Sequence, residues 1–214
     1  SVSRGLGDVY KRQILEDIER EALADNVPII RREMQSFLKV LLMVKKPMRV
    51  LEVGTAVGFS ALLMSEYVPE ECAITTIENY EKRIPIARQN FVRAGKEKKI
   101  TLLEGDAMDV LKTLEGPYDF IFMDAAKGQY IHYLPEILRL LAKGGILVSD
   151  NVMQDGDVIE SRFAVERRDR TIHARMREYL YELKHNDALV TSIIPLGDGV
   201  ALSVKKEVGT DIAQ

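Results

Sequence analysis

The run Val50-Leu-Glu-Val-Gly-Thr-Ala-Val-Gly-Phe-Ser60 decides the fold. Strand-forming residues lead into a turn with glycines at 54 and 58, and a helical stretch follows. This is the first half of a βαβ unit. Its glycines let backbone N–H groups come close to a ligand at the carboxyl end of the strand, where open α/β sheets bind nucleotides. The spacing Glu-x-Gly-x-x-x-Gly is not a dinucleotide fingerprint, because it lacks the G-x-G start and the third glycine. By itself it also fits an ordinary βα turn.

Working outward, strand-like apolar runs recur at Arg49–Val53, Ala73–Ile77, Ile100–Leu103, Phe120–Met123, Ile146–Val148, Val190–Ile194 and Ala201–Val204. The first five are separated by helical stretches that end in signals such as Ala94-Gly95 and Lys143-Gly144-Gly145. Strands alternating with helices predict right-handed crossovers and a parallel sheet covered on both faces. The last two runs flank Pro195-Leu-Gly-Asp-Gly199, a hairpin signal that predicts an antiparallel pair at one end of the sheet. Ahead of the first strand, Ile14, Leu15, Ile18, Ala22 and Leu23 recur at helical spacing. After Pro28 a second helix shows Phe37, Leu38, Leu41 and Leu42 as its apolar stripe. The fold class is thus α/β, with helices on both faces of a mostly parallel sheet.

Residues 1–13 show no hydrophobic period. Back-translated, Asp8 to Gln13 can be written GAT GTG TAT AAG AGA CAG, which resembles the transposon end of sequencing-library adapters, and Ser3 to Gly7 fits the adjoining bases. The segment is read as adapter-derived and set aside. It is followed by N-terminal helices over 14–48, the sheet domain over 49–206 and a tail over 207–214.

The 214 residues carry 30 Lys+Arg against 33 Asp+Glu, a net charge of −3. Residues 1–13 hold Arg4, Lys11 and Arg12 against Asp8, so the rest carries 27 basic and 32 acidic side chains. That balance speaks against a generally basic nucleic-acid coat protein but leaves room for a local basic surface. One cysteine, Cys72, excludes an intramolecular disulfide, and no Cys/His cluster has zinc spacing. No apolar run is long enough to span a membrane. The expectation is a cytoplasmic protein.

Chemistry-bearing residues fall at successive strand ends. Glu78 ends the second strand, placed to accept hydrogen bonds from two ribose hydroxyls. Gly105-Asp106-Ala107 ends the third and suits contact with an adenine ring. Asp124 ends the fourth, and Asp150-Asn151 ends the fifth. Neighbouring parallel strands bring the last two ends together, so two carboxylates and an amide oxygen can converge as a hard oxygen set suited to Mg²⁺ rather than zinc. The same residues also fit a helix cap at Asp124 and a simple turn at Asp150-Asn151.

Three runs together carry a resemblance to a known family: Leu51-Glu-Val-Gly-Thr-Ala-Val-Gly-Phe-Ser60, Asp119-Phe-Ile-Phe-Met-Asp-Ala-Ala-Lys-Gly-Gln-Tyr130 and Gly144-Gly-Ile-Leu-Val-Ser-Asp-Asn-Val152. Over residues 14–206 the chain resembles the metal-dependent O-methyltransferases related to catechol and caffeoyl-coenzyme A methyltransferases. Within them it is most similar to the bacterial branch that methylates 5-hydroxyuridine in tRNA. The resemblance implies a Rossmann-like, seven-stranded sheet with a reversed last strand, S-adenosylmethionine and Mg²⁺ or another divalent cation as cofactors, and a homodimer. It implies Glu52, Gly54, Thr55, Ser60, Glu78, Gly105, Asp106, Ala107 and Asp124 at the cofactor site. Asp124, Asp150 and Asn151 are the implied metal ligands and Lys127 the implied general base. To accept a proton Lys127 must be neutral, a state that a neighbouring metal cation favours. One departure bears on the substrate: Ala125-Ala126 stand where catechol enzymes carry a bulky His-Trp pair, so space near the metal admits a larger acceptor.

Past Asn151, the later part of the chain has Ile172, Met176, Leu180 and Leu183 as one helical stripe, leaving Arg162, Arg167, Arg168, Arg170, Arg175 and Arg177 to face elsewhere. Arginines at the mouth of the site can pair with the phosphates of a tRNA anticodon loop. Glu160, Glu166, Asp169 and Glu178 interleave with them, so a solvated, salt-bridged face fits as well. His132, His173 and His185 read as surface or packing residues and Lys96-Glu-Lys-Lys99 as a solvated turn. The leading expectation is methylation of 5-hydroxyuridine at the tRNA wobble position. The same catalyst acting on a small catechol-like or phenolic metabolite stands second, and a nucleotide-binding module without catalysis third.

Overall fold

Each of the seven expected strand runs is a strand in the computed structural model, which describes residues 2–153 and 170–207, with backbone alone for 2–12 and 170. The order in the sheet is β3-β2-β1-β4-β5-β7-β6. The chain groups into two compact units, Ser1–Met48 with Thr55–Asp106, and Arg49–Gly54 with Ala107–Gln214. One break falls between residues 48 and 49, as in the sequence reading, but the grouping divides the 49–206 segment, because Thr55–Asp106 clusters with the N-terminal helices and β1 with strands that come much later in the chain.

The first unit holds α1 (Val2–Ala24), α2 (Arg32–Lys45), α3 (Phe59–Tyr67), β2 (Ala73–Glu78), α4 (Ile84–Arg93) and β3 (Ile100–Glu104). β2 and β3 run parallel, from Ile74 opposite Ile100 to Glu78 opposite Glu104. Two readings shift here. α1 begins at Val2, inside the segment set aside; a helix anchored by buried Ile14, Ile18 and Ala22 propagates backwards, since extension costs far less than nucleation. In α2 the buried row is Met34, Leu38 and Leu42, one residue every four, while Phe37 and Leu41 are only half-buried. The Lys96–Lys99 run is a turn with Glu97 and Lys98 exposed, but its two end lysines are not solvated. Lys96 is buried with its ammonium 2.9 Å from Glu66, and Lys99 donates to the Pro69 carbonyl at 2.8 Å.

The second unit holds β1 (Arg49–Val53), α5 (Ala107–Thr113), β4 (Tyr118–Met123), a 3-10 turn (Lys127–Gln129), α6 (Tyr130–Leu140), β5 (Leu141–Ser149), α7 (Arg170–His185), β6 (Leu189–Ile194) and β7 (Val200–Lys205). β4 lies parallel to both β1 and β5. β7 runs antiparallel to β5 and β6, so it is the reversed last strand. Val50 to Val53 and Phe120 to Met123 are fully buried, near-continuous apolar runs as expected of inner strands, broken only by Glu52. Removing each large side chain from water stabilises by about 1.5–3 kcal/mol. Lys143-Gly144-Gly145 does not end a helix. It sits inside β5, where the pairing shifts between Tyr118 opposite Leu141 and Phe120 opposite Ile146, and the extra residues are absorbed at that irregularity. On α7 the expected stripe is present, with Met176, Leu180 and Leu183 buried, joined by Tyr179 and His173, and with Ile172 half-buried. No helix among the described residues is long and apolar enough to cross a membrane.

Candidate functional site

Register places the acidic residues. Val53 lies opposite Met123, and Met123 opposite Ser149. The next residue on each strand is therefore Gly54, Asp124 and Asp150, one row at the carboxyl ends of three parallel strands. Backbone bonds continue the ladder past the strand ends, from Asp124 N–H to the Val53 carbonyl at 3.0 Å and from Asp150 N–H to the Met123 carbonyl at 2.9 Å. Gly54 has φ +104°, and a Cβ there would lie 2.0 Å from the Asp124 carbonyl oxygen. Only glycine permits that approach, so Gly54 brings the Asp124 peptide against β1.

Asn151 has φ +59°, which turns its side chain back toward Asp124, and its amide nitrogen donates to Asp124 Oδ1 at 3.1 Å. The Asn151 backbone N–H donates to Asp150 Oδ1 at 2.8 Å. The three side chains expected to converge therefore do so. Burial raises the Asp124 carboxyl above its usual range, offset in part by the Asn151 amide and the Lys127 charge. Asp150 is pushed up to about 7, first by burial and then by the charge of Asp124. Two buried carboxyls, one of them raised further by the charge of the other, form a site with surplus negative charge, which a cation would relieve. No group of three or more His, Cys, Asp or Glu side chains able to hold a metal occurs among the described residues. The donor set is two carboxylates and an amide, leaving the remaining positions to water or acceptor oxygens. It fits a hard divalent ion such as Mg²⁺.

Lys127 opens the 3-10 turn just beyond Asp124 and is half-buried, and its charge lowers the carboxyls of both Asp124 and Asp150. Tyr130, which the motif contained but to which no role was given, is fully buried, and its hydroxyl reaches backbone on either side of Asp124 and after Asp150. Burial and the nearby carboxylates hold its phenol well above the usual range, so it stays protonated. Asp198, in the β6–β7 turn, was also missed. Its charge adds to the upward push on Asp150, and its carbonyl accepts the Met153 N–H at 2.8 Å. Glu52, of the expected cofactor residues, is fully buried in β1, and Ala107 begins α5.

The remaining expected cofactor residues gather in the other compact unit. Gly58 caps α3 with φ +85°, and a Cβ there would strike the Phe91 ring at 2.5 Å. The Glu78 carboxylate accepts three backbone N–H groups, from Ala56 at 2.7 Å, Asn79 at 3.0 Å and Tyr80 at 2.9 Å. It thus ties the glycine turn to the end of β2. Thr55 and Thr76 share a buried hydroxyl bond of 2.6 Å, Thr55 N–H donates to the Ile77 carbonyl, and the Asn90 amide donates to the Val57 carbonyl at 2.9 Å. Ser60 is buried in the first turn of α3. Gly105 N–H donates to the Glu78 carbonyl at 3.0 Å, and Asp106 beside it is exposed.

Of the arginines, Arg162, Arg167 and Arg168 lie outside the described residues, and Arg170 is described by its backbone at the start of α7. Arg177 is exposed. Arg175 is half-buried and donates to the Gly128 carbonyl at 3.3 Å, one residue past Lys127.

Comparison with known proteins places the chain in a family and finds the same fold in solved structures. A family model described as O-methyltransferase matches residues 7–206. A catechol O-methyltransferase of Niastella koreensis is 35% identical over 128 residues, covering 58% of this chain and 58% of that enzyme, so the match spans under two thirds of its length. Caffeoyl-CoA O-methyltransferase 2 of Populus trichocarpa is 33% identical over 183 residues, 78% of this chain and 70% of the plant enzyme. Among solved structures, the O-methyltransferase from Bacillus cereus in complex with SAH superposes with a TM-score of 0.81 at 25% identity, covering 91% of each chain.

Proposed function

The chain belongs to the O-methyltransferase family, and from that premise we propose that it transfers the methyl group of S-adenosylmethionine to the 5-hydroxyl of 5-hydroxyuridine at the tRNA wobble position. The observation that carries the acceptor reading is Arg175, seated on the turn that holds Lys127, with small Ala125 and exposed Ala126 between that turn and Asp124. A half-buried guanidinium beside the reacting centre suits an acceptor that brings a phosphate with it, and two alanines leave room for a nucleoside.

A divalent cation held by Asp124, Asp150 and Asn151 would supply Lewis acidity toward the acceptor hydroxyl and fix its orientation. The uracil 5-hydroxyl stands beside the C4 carbonyl, two vicinal oxygens like those of a catechol. Lys127 Nζ accepts the hydroxyl proton while the oxygen attacks the sulfonium methyl in line. The new C–O bond forms as the C–S bond breaks, and the electron pair stays on the departing thioether. On the cofactor side, Glu78 Oε2 has one further lone pair for a ribose hydroxyl, and the Thr55–Ser60 turn offers backbone N–H groups. The exposed apolar face of α2, with Val40, Met43 and Val44 (79% exposed), is where a second copy of the chain would pack to make a homodimer.

The test is mass spectrometry of nucleosides from hydroxyuridine-bearing tRNA after incubation with S-adenosylmethionine and Mg²⁺. We expect 5-methoxyuridine. Arg175→Gln should raise the KM for tRNA roughly fivefold and flatten its salt dependence. The second reading, a small catechol-like or phenolic acceptor, is supported by the names of the Niastella and Populus relatives. Methylation of a catechol with tRNA untouched would establish it instead.

A further inference from the structure

We infer that Tyr130 is a positioning residue, whose hydroxyl sets the spacing between the two carboxylate-bearing strand ends so that they can share one cation. The inference rests on the cation reading of the Asp124–Asp150–Asn151 cluster. Tyr130 is the first residue of α6 and is wholly buried. Its oxygen lies 3.2 Å from the Ala125 backbone nitrogen, 3.1 Å from the Met123 carbonyl oxygen and 3.2 Å from the Asp150 carbonyl oxygen. A phenol has one proton to give and lone pairs to receive. It therefore accepts the Ala125 N–H and shares its proton between the two carbonyls. These belong to the peptide before Asp124, the peptide after Asp124 and the peptide joining Asp150 to Asn151. One oxygen atom thus touches a peptide group adjoining every expected ligand.

The ring has little freedom to give way. It meets Tyr179 edge-on, with centroids 5.5 Å apart and planes at 73°, and the Tyr179 hydroxyl bonds to Ser149 Oγ at 2.6 Å, one residue before Asp150. Tyr130 N–H also donates to the Lys127 carbonyl, so the same residue closes the turn that carries Lys127. Magnesium-sized ions demand near-ideal octahedral geometry, and partners behind the ligands commonly change metal affinity 10–100-fold. A strand-end spacing held by one buried hydroxyl therefore sets how well the cation binds.

The experiment is calorimetric titration of the full chain with Mn²⁺, without acceptor, together with steady-state kinetics against Mg²⁺. Tyr130→Phe keeps the ring and removes the oxygen. Its Mn²⁺ Kd and its KM for Mg²⁺ should both rise about tenfold. Its kcat at saturating Mg²⁺ and its S-adenosylmethionine Kd should stay within about twofold of wild type, so that excess metal rescues the variant. Tyr179→Phe removes a neighbouring buried hydroxyl that bonds a side chain rather than a ligand's backbone, and it should leave the Mn²⁺ Kd unchanged. An unaltered Mn²⁺ Kd in Tyr130→Phe, or an equal loss in Tyr179→Phe, overturns the inference. Wild-type protein that binds no Mn²⁺ overturns the cation reading and this inference with it. If Tyr130→Phe does not fold, 3-fluorotyrosine placed at 130 in the otherwise unaltered chain gives a second readout. Its ¹⁹F resonance should move on Mg²⁺ addition, and a stationary resonance counts against the proposal.

Discussion

Two carboxylate sites occupy strand ends in this molecule, and they are built in opposite ways. Glu78, at the end of β2, has both oxygens engaged by three backbone N–H groups at 2.7–3.0 Å. Among the described residues Asp124 and Asp150 have few donors: one amide reaches Asp124 and one backbone N–H reaches Asp150, and each carboxyl is raised by burial. Backbone donors stabilise the charged form of a carboxylate, whereas burial beside a like charge destabilises it. Glu78 is thus complete as folded and needs only to present its remaining lone pair. The aspartate pair is electrostatically incomplete as folded, and on the proposed function a cation would complete it. A rigid acceptor of hydrogen bonds suits a neutral ribose, and a pair under repulsion suits a metal.

The largest effect should come from breaking the incomplete side. Asp150→Ala should lower turnover roughly a thousandfold or more, since the orientation and charge stabilisation of the acceptor oxygen go together. Its S-adenosylmethionine affinity, measured by calorimetry, should change little. Parallel loss of cofactor binding would show that the two sites are not separable as argued. Next comes Lys127→Ala, expected to lower the single-turnover rate by about 10²–10³ with cofactor and metal affinity kept. A rate within twofold of wild type would remove Lys127 as proton acceptor. The smallest of the three is Glu78→Ala, which should weaken S-adenosylmethionine binding about tenfold through lost charge-assisted hydrogen bonds, leaving turnover at saturating cofactor near wild type. If Glu78→Ala lowered the saturated rate and spared the affinity, the contrast between a binding carboxylate and a reactive pair would fail.

Much of this was legible in the residues. Short apolar runs and turn signals located all seven strands, because strand burial is written in composition when a sheet is covered on both faces. The convergence of Asp124 with Asp150-Asn151 followed from parallel neighbours whose ends must coincide. Other features were not legible. Lys143-Gly144-Gly145 reads as a helix stop and is an irregularity within β5. Lys96-Glu-Lys-Lys99 reads as a solvated run, yet Lys96 is buried against Glu66, a partner thirty positions away that no local pattern announces. Tyr130 closes the Asp119–Tyr130 run, where nothing in its neighbours signals a role. Its hydroxyl finds backbone atoms at positions 123, 125 and 150, and only the folded chain brings those together.

The run from Val50 to Ser60 determined by itself that a strand would meet a helix across a glycine turn, since no other residue offers that backbone freedom at such low steric cost. Tertiary structure decided what the glycines are for. Gly54 is required because the Asp124 carbonyl fills the space a Cβ would take, and Gly58 because the Phe91 ring does. Local sequence encodes the dihedral preferences of neighbouring residues, and so it specifies elements and their ends. Which atoms press on those ends depends on strands brought together by register, and at this site register sets both the steric demand on Gly54 and the charge repulsion between Asp124 and Asp150.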